Sequence, residues 1–395
     1  MKIVAGLKEQ GFDIDVLTIN PLSFDAPGVN LVDPTLNQCL PEGILNYQVW
    51  SWEVNFFFQL IKKIHSHFPA FTKLVEPRKK EWIYPAIRFL KKQNLHKYDV
   101  ILTCSQPHAN HLIGSYIKET TGKPWIAYFS DPWTDNPYAS FKSQRIYNYH
   151  RKLEEKIINQ ADIVLFTSPE MQDLVVRKYP EYIAKKCDVL PHSYVPQWYE
   201  LAKTKKSTSS KILFLHTGHF YGPRSPMPLF NALEKLNRKA LLSERIEIVF
   251  YGNMEEKYRQ FVYEKGLQSF ISIEAPISYL ESLKKMKEAD FLLLIDAPTV
   301  DDAQSVFLPS KLVDYLGSFR PVIGITPLKG ASARVLSETG NYLCDIDSEN
   351  EIIKLFENLL STQVKNTCIK ENIERYHYRT VTERLAHIIN GLYAQ

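Results

Sequence analysis

The stretch KILFLHTGHFYGPRSPMPLFNAL, residues 211–233, contains the pattern that decides the fold. Its first residues are almost continuously apolar, as expected of a strand that is buried on both faces of a parallel sheet. A turn that contains Gly218 and Gly222 follows, and a segment with the pattern of a helix comes next. This order of strand, turn and helix predicts one βα unit of an α/β fold.

The same alternation of strand and helix patterns continues on both sides of this unit. Short apolar, β-branched segments predict strands at residues 12–19, 99–104, 125–130, 162–168, 211–218, 246–252, 270–275, 290–296 and 320–326. In the first half of the chain, helices are predicted between them, around residues 46–66, 82–93, 106–119 and 145–160. Near-continuous apolar strands that alternate with helices indicate buried parallel sheets.

A polar segment divides the chain into two such series. Residues 201–210 are rich in Ser, Thr and Lys and lack apolar periodicity, which is typical of a linker. We therefore predict two doubly wound, Rossmann-like domains that face a cleft, over residues 1–200 and 211–372, and a final helix over 373–395. The length of 395 residues fits two domains at about 100–200 residues each.

The composition excludes several classes of protein. Glycine occurs only 15 times, and no GxGxxG or GxxxxGK[ST] string is present, which disfavours dinucleotide-binding dehydrogenases and P-loop NTPases. The five cysteines are far apart and form no CxxC pair, which argues against a structural zinc site and a secreted disulfide framework. With no run of 18 apolar residues and no apolar signal core, a cytoplasmic location is the simplest interpretation.

The charge is unevenly distributed along the chain. The net charge is +4, but residues 61–99 contain ten Lys or Arg and three acids, a local balance of +7. Because residues 47–92 are also rich in aromatic side chains, this region suits peripheral association with an anionic membrane surface. A solvated basic helix with an aromatic core face is the alternative, and the sequence does not decide between the two. Nucleic-acid binding is not expected, since no known motif accompanies the charge.

A candidate anion site follows the strand at residues 211–218. Arg224 lies in the turn between this strand and the next helix. Backbone N–H groups at a helix start attract a phosphate, and an arginine can bind one through two parallel hydrogen bonds. The alternative is an ordinary βα turn with a surface arginine.

A second candidate lies in SVFLPSKLVDYLGSFRPVIGI, residues 305–325. Pro309 is placed to start a helix, and Lys311 then falls in the first turn, where a cation is unfavourable for the helix dipole. A bound anion would remove this conflict. Asp314, three residues further on, is expected on the same face, which suits a nucleotide diphosphate with its ribose. The alternative is a surface Lys–Asp pair worth about 0.2–0.5 kcal/mol.

Polar residues also follow two predicted strands in the first half of the chain. Asp131 comes directly after the strand at 125–130, and His108 and His111 follow the strand at 99–104. These side chains therefore lie where ligands of open α/β sheets bind. Alternatively, Asp131 caps a helix or a turn. No third ligand is evident for a metal bound to the two histidines, so we predict no metal site.

Several of these segments resemble glycosyltransferase family 4, whose members have the GT-B fold. PSKLVDYLGSFRPVIGI resembles the family signature PSKL-x-EYL-x-x-G-x-PVI, and HTGHFYGPRSPMPLFNAL resembles its donor-phosphate loop and following helix. YFSDPWTDNPY, residues 128–138, is similar to the RDPW segment, and TCSQPHANHLIG, residues 103–114, to the S-x-P-P-x-x-x-H-x-x-A segment. The resemblance covers nearly the whole chain, in the same order.

The resemblance implies a function and a separate role for each domain. The second domain would bind a UDP- or GDP-linked sugar, the first domain would bind the acceptor, and the final helix would pack back on the first domain. The sugar would be transferred to an acceptor hydroxyl with retention and without an obligatory metal. Together with the basic, aromatic region 47–92, this suggests a lipid-linked or polysaccharide precursor as acceptor.

The resemblance also assigns roles to particular residues. Arg224 and Lys311 would neutralise the leaving diphosphate, and Asp131 would act at the acceptor hydroxyl. The implied donor contacts are Gly218, Tyr221, Gly222, Arg224, Pro309, Ser310, Lys311 and Asp314, with Asp314 on the ribose hydroxyls. The implied acceptor contacts are His108, Asp131 and Trp133.

The sequence departs from the family pattern in three places. Val306 stands where the first acid of the E-x7-E pattern is expected, and Ser130 stands where the RDPW arginine is expected. The first strand and glycine-rich loop of the family are expected before Met1. Two other functions therefore stay open: a nucleotide-sugar epimerase of the same fold, and a non-catalytic sugar-nucleotide-binding partner of a glycosyltransferase.

Overall fold

The computed structural model describes residues 1–23, 33–65, 76–77, 79–201, 211–242, 246–299, 305–361 and 370–393. Of the predicted linker, only Leu201 lies within these residues. The α-helices are α1 (Lys2–Glu9), α2 (Phe56–His65), α3 (Lys80–Leu90), α4 (Asn110–Thr121), α5 (Gln144–Gln160), α6 (Pro169–Val176), α7 (Glu181–Ala184), α8 (Pro196–Leu201), α9 (Met227–Arg238), α10 (Glu256–Glu264), α11 (Tyr279–Glu288), α12 (Ser310–Gly317), α13 (Ala331–Glu338), α14 (Glu349–Ser361), α15 (Lys370–Glu374) and α16 (Tyr378–Gly391).

Every strand that the sequence predicts is present, within a few residues at each end. The strands are β1 (Asp15–Ile19), β2 (Leu45–Val49), β3 (Ile101–Cys104), β4 (Trp125–Phe129), β5 (Ile163–Phe166), β6 (Cys187–Val189), β7 (Ile212–Thr217), β8 (Ile246–Tyr251), β9 (Ile271–Glu274), β10 (Phe291–Ile295), β11 (Val322–Thr326) and β12 (Tyr342–Asp345). The sequence did not predict β2, β6 and β12. Each lies at an edge of its sheet, where a strand is less buried and lacks the continuous apolar pattern.

The chain divides into two compact units. We call Met1–Gly6, Asp33–Leu40 and His192–Thr382 the C-terminal unit, and Leu7–Val32, Pro41–Pro191 and Glu383–Gln395 the N-terminal unit. Both contain parallel strands with helices packed against them, which confirms the predicted α/β fold class.

The C-terminal unit contains a six-stranded sheet in the order β9-β8-β7-β10-β11-β12, with parallel ladders throughout. Successive residues of β10 point into different cores. Leu292 and Leu294 pack with α8, α11, α12 and α13, whereas Leu293 and Ile295 pack with α9, α10 and α14. The sheet is therefore buried on both faces, as its apolar strands require.

The N-terminal unit contains a four-stranded parallel sheet in the order β3-β4-β5-β6 and a separate parallel pair, β1-β2. Every residue of β4 is buried, since this strand lies inside its sheet. Leu17 and Ile19 of β1 and Ile101 of β3 pack against one cluster of apolar residues from α3 and α4. The two sheets thus share a hydrophobic core.

One predicted helix is wrong over part of its length. Residues 46–66 do not form one helix, because Leu45–Val49 is strand β2 and α2 begins only at Phe56. Tyr47 and Val49 are half-buried, whereas the alternating Asn46 and Gln48 are exposed, which is the period of a strand. No helix among the described residues is both long enough and apolar enough to span a membrane.

We predict that Gly114→Ala destabilises the N-terminal unit. A Cβ at Gly114 of α4 would lie 2.3 Å from the indole of Trp125, which is fully buried on β4, so the helix or the ring must move. The expected loss is about 1–3 kcal/mol of unfolding free energy. Urea unfolding measures it, with Gly391→Ala on α16 as the control, because nothing lies within 4 Å of a Cβ there. Equal stability of both variants would contradict the prediction.

Candidate functional site

The strand order of the C-terminal unit determines where a ligand can bind. The first strand of this sheet along the chain is β7, in its middle. The next two strands, β8 and β9, lie on one side of β7, and β10 then lies on the other side. In open α/β sheets, ligands bind at the carboxyl ends of the strands, where the order reverses. The loop that follows β7 and the start of α12 meet at this point.

Lys311 lies at the centre of this arrangement. It occupies the first turn of α12, directly after Pro309 and Ser310, as the sequence predicts. Its Nζ atom is 3.4 Å from Nε2 of His216 on β7. The same Nζ atom would lie 2.9 Å from a Cβ at Gly218, so the ammonium is held directly over this glycine.

The loops that follow β7 and β8 are bonded to each other through their backbones. The N–H of Gly218 donates to the carbonyl of Tyr251 at 2.8 Å, and the N–H of Phe220 donates to the carbonyl of Asn253 at 3.1 Å. Gly218 has φ +118°, and a Cβ at Gly252 would lie 2.2 Å from the Gly218 carbonyl. Glycine is required at Gly218 because of its backbone conformation and the close approach of Lys311.

The site is electrostatically positive. Burial of the Lys311 ammonium, with Arg224 nearby, lowers the pKa of Lys311 to about 7, although Asp296 opposes this effect. The Arg224 guanidinium lies 5.3 Å from the centre of the Tyr221 ring and donates to the Tyr221 hydroxyl at 3.3 Å. Within the described residues, no carboxylate forms an ion pair with either cation. Two adjacent cations of this kind favour a bound anion.

Asp314 does not pair with Lys311, although both lie on α12. Its Oδ1 atom accepts hydrogen bonds from Nζ of Lys2 at 2.5 Å and from the Tyr279 hydroxyl at 3.1 Å. Burial raises the pKa of Asp314, and the two donors oppose the shift. Lys2 and Tyr279 were not identified from the sequence, because no local pattern connects them to α12. Val306, where the family pattern has an acid, is buried.

In the N-terminal unit, polar side chains meet at the carboxyl ends of β3 and β4. The Gln106 amide donates to Oδ2 of Asp131 at 2.8 Å, and the hydroxyl of Ser130 lies 3.4 Å from the same oxygen. Asp131 is half-buried. The carboxylate that the sequence predicts at this strand end is therefore held by its neighbours and remains partly accessible.

His108 and Trp133 lie against each other in this region. Their rings are parallel to within 8° and their centres are 5.0 Å apart. Trp133 is buried, and its indole N–H donates to Nδ1 of His150 at 2.8 Å. Burial lowers the pKa of His108 to about 4, so its imidazole is neutral at pH 7.

A buried glutamate fixes the segment that follows Trp133. Glu154 of α5 accepts hydrogen bonds from the backbone N–H and the hydroxyl of Thr134 and from the hydroxyl of Tyr179, and it pairs with Lys178. Glu154 was not identified from the sequence. The available signal was that His150 and Glu154 occupy core positions of α5, in register with Ile146 and Ile157.

The comparisons with known proteins agree with this fold. Residues 1–198 match the model of Glycosyltransferase Family 4. The match covers half of the chain, and the chain therefore belongs to this family of glycosyltransferases. No curated protein sequence matches.

Solved structures that resemble the chain share its fold at low sequence identity. Sucrose-phosphate synthase from Thermosynechococcus elongatus superposes with a TM-score of 0.67 at 12% identity, covering 100% of this chain and 92% of the enzyme. A lipopolysaccharide outer core galactosyltransferase gives 0.55 at 14% identity, covering 96% and 99%. A putative UDP-N-acetylglucosamine 2-epimerase from Listeria monocytogenes gives 0.55 at 11% identity, covering 97% of each chain.

We predict that Glu154→Gln destabilises the protein by about 1–3 kcal/mol, because the buried donors of Thr134 and Tyr179 lose a charged acceptor and Lys178 keeps only Asp135 as an ion-pair partner. Burial alone would raise the pKa of Glu154, but Lys178, Thr134 and Tyr179 outweigh it and lower the pKa. The stabilisation is therefore present at neutral pH and is lost as the pH falls through the folded-state pKa. Urea unfolding of wild type and variant between pH 3 and pH 7 measures the difference.

The matched control for this experiment is the exposed neighbour Glu155, as Glu155→Gln. It is expected to leave stability unchanged at every pH. A Glu154→Gln variant as stable as Glu155→Gln at pH 7 would show that Glu154 does not fix this segment.

Proposed function

We propose that the protein transfers a sugar from a nucleotide diphosphate sugar to an acceptor hydroxyl with retention of the anomeric configuration. The observation that carries this proposal is the placement of Lys311 over Gly218, with Arg224 close enough to lower the pKa of Lys311, at the point where the strand order reverses. Negative charge develops on the diphosphate as the sugar leaves, and fixed cations lower the energy of that transition state.

The donor contacts follow from this placement. Lys311 and Arg224 bind the diphosphate, and the turn from Gly218 to Gly222, which is bonded to the loop after β8, lies next to Lys311. Pro309 and Ser310 start α12 at the same place, and Tyr221 holds the Arg224 guanidinium. Asp314 binds the ribose in this proposal, with its Oδ1 atom held by Lys2 and Tyr279. UDP is the first nucleotide to test, since one structural neighbour is named for a UDP-sugar.

The acceptor contacts are proposed in the N-terminal unit. Asp131 orients the acceptor hydroxyl, and the neutral His108 ring lies beside it. The buried ring of Trp133 lies parallel to the His108 ring and holds it in place. A lipid-linked or polysaccharide precursor is the proposed acceptor.

An epimerase is the alternative that the fold allows, since one neighbour is named as such. Product analysis separates the two functions. Conversion of a UDP-sugar without an added acceptor would favour the epimerase, whereas transfer that depends on an acceptor supports the proposal.

We predict that Lys311→Ala and Arg224→Ala each weaken UDP binding by about 30-fold or more, because the diphosphate loses a charged partner. Isothermal titration calorimetry measures the affinity, and turnover of the corresponding sugar nucleotide is expected to fall at least as much. The control is Lys354→Ala, an exposed lysine on α14. Unchanged UDP affinity and turnover in both site variants would contradict the proposed function.

The pKa of Lys311 gives a prediction for pH. The ammonium form binds the diphosphate, so affinity is highest below the pKa of about 7 in the free protein. Above it, affinity for UDP is expected to fall by up to about tenfold per pH unit, since the lysine must first take up a proton. Titrations between pH 6 and pH 9 measure this slope, which Lys311→Ala should flatten. An unchanged slope in Lys311→Ala would assign it to another group.

We also propose that the N-terminal unit docks on an anionic membrane surface through α2. The exposed apolar residues Phe56, Phe57, Leu60 and Ile64 lie within about 100° of arc on this helix. Phe56 is 82% exposed and Phe57 is 64% exposed, whereas Phe58 on the opposite face is buried against Trp52. The apolar stripe therefore points outward.

One basic residue accompanies the outward stripe. Lys63 is exposed beside it, whereas Lys62 lies on the same side of the helix as Phe58 and pairs with Glu81. An apolar face with a lysine next to it suits insertion at the interface of a bilayer with anionic headgroups. A surface of this kind would bring the acceptor site close to a lipid-linked substrate.

We predict that Phe56→Ser together with Phe57→Ser weakens binding to phosphatidylglycerol-containing vesicles by about tenfold or more, because two large apolar side chains no longer insert. Vesicle flotation measures the partition coefficient. Tyr263→Ser on α10 is the control, since Tyr263 is equally exposed at 75%. Absence of binding by the wild type, or equal binding by both variants, would refute docking through α2 without affecting the donor site.

A further inference from the structure

His216 is a buried histidine in a strand that is otherwise mainly apolar. It is 1% exposed, near the end of β7, and its ring lies 4.7 Å from that of Phe220 and 5.6 Å from that of Phe250. An apolar residue would fill the same space. What distinguishes the imidazole from such a residue is the polar contacts of its two nitrogens.

The first nitrogen fixes the tautomer. Nδ1 lies 2.9 Å from the backbone carbonyl of Leu293 on β10. A carbonyl only accepts, so Nδ1 carries the hydrogen and donates it. Burial, together with the charges of Lys311 and Arg224, holds the pKa of His216 well below its usual range. The ring is therefore neutral, and Nε2 presents a lone pair.

The second nitrogen faces Lys311. Nζ of Lys311 is 3.4 Å from Nε2, and an ammonium only donates, so the hydrogen bond runs from Lys311 to His216. One side chain thus connects β7 with β10 through Leu293 and with α12 through Lys311. These are the elements that meet where the strand order reverses.

The other charged and titratable groups around Lys311 come from neighbouring segments. Arg224 lies in the loop after β7, and Asp296 follows β10. His219, in the loop after β7, accepts from the backbone N–H of Asn253 through Nδ1, and burial lowers its pKa. Among the described residues, His216 is the side chain that accepts a hydrogen bond from the Lys311 ammonium.

We propose that His216 is a positioning residue: a neutral acceptor that holds the Lys311 ammonium over Gly218 for the diphosphate of the donor. A carboxylate in its place would neutralise the positive charge, whereas an imidazole orients the ammonium and leaves that charge available. This inference rests on the proposed function for its ligand, but the His216–Lys311 bond itself does not.

The bond is tested without nucleotide by measuring the pKa of Lys311. NMR of the protein with labelled lysine follows the titration, and Lys311→Met assigns the signal. His216→Phe, which keeps a ring but removes the acceptor, is expected to lower the pKa of Lys311 by about one unit. His216→Gln offers an amide oxygen near the position of Nε2. In this variant the pKa of Lys311 should return most of the way to the wild-type value. An unchanged pKa in His216→Phe would overturn the proposal.

Phe220→Leu is the matched control. It disturbs the packing of the same ring but leaves the acceptor in place, so the pKa of Lys311 should stay within a few tenths of a unit of the wild type. A shift in Phe220→Leu as large as that in His216→Phe would show that packing, and not the hydrogen bond, sets the pKa, and would also overturn the proposal.

The ligand is tested by calorimetry with UDP and uridine at pH 8. His216→Phe is expected to bind UDP about tenfold more weakly, with no change for uridine, because only the phosphates meet Lys311. Proton uptake on UDP binding, measured in two buffers of different ionisation enthalpy, should also change. Equal loss for UDP and uridine would contradict a role at the diphosphate. Absence of binding of both UDP and GDP by the wild type would contradict the proposed function, while the pKa of Lys311 still decides whether the hydrogen bond exists.

Discussion

Burial of both faces of the six-stranded parallel sheet is the constraint on which the rest of the C-terminal unit depends. Apolar side chains point alternately to the two faces, so helices must cover each of them. Crossover connections on both faces are possible only if the strand order reverses within the sheet, and it does so between β7 and β10. In sheets of this kind, ligands bind at such a reversal of the strand order. The location of the site is thus a consequence of how the sheet is buried.

The positive charges of Lys311 and Arg224 determine what this location can bind. Lys311 and Arg224 lie close enough for the arginine to lower the lysine pKa, and neither forms an ion pair with a carboxylate in the described part of the chain. Such an arrangement costs stability in the free protein, which an anionic ligand recovers on binding. His216 adds orientation to this charge without cancelling it. A surface Lys–Asp pair within α12, the alternative that the sequence left open, is not formed, because Asp314 pairs with Lys2.

The N-terminal unit uses buried polar groups for a different purpose. On α5, Glu154 accepts a hydrogen bond from Thr134, and His150 accepts one from Trp133. The Trp133 ring in turn lies against His108. Buried polar groups of this kind fix a loop because each lost hydrogen bond leaves an unsatisfied partner. His108 and the segment that follows β4 therefore pack on side chains that are buried and hydrogen-bonded. On α2 of the same unit, the apolar face is turned outward, which the amphipathic pattern alone did not reveal.

The sequence by itself determined the strands that are buried inside their sheets, the turn at Gly218, and the start of α12 before Lys311, because each depends on local pattern or on backbone preference. It also identified the family through PSKLVDYLGSFRPVIGI and the segments that accompany it. It predicted one helix over residues 46–66 and missed β2, β6 and β12, which are edge strands of three to five residues without a continuous apolar pattern. Only the tertiary structure decided which partners surround the charges. Lys2 and Asp314 are 312 residues apart, and His216 and Lys311 are 95 apart. Contacts between residues so distant in the chain depend on how the whole sheet packs, and no local pattern encodes them.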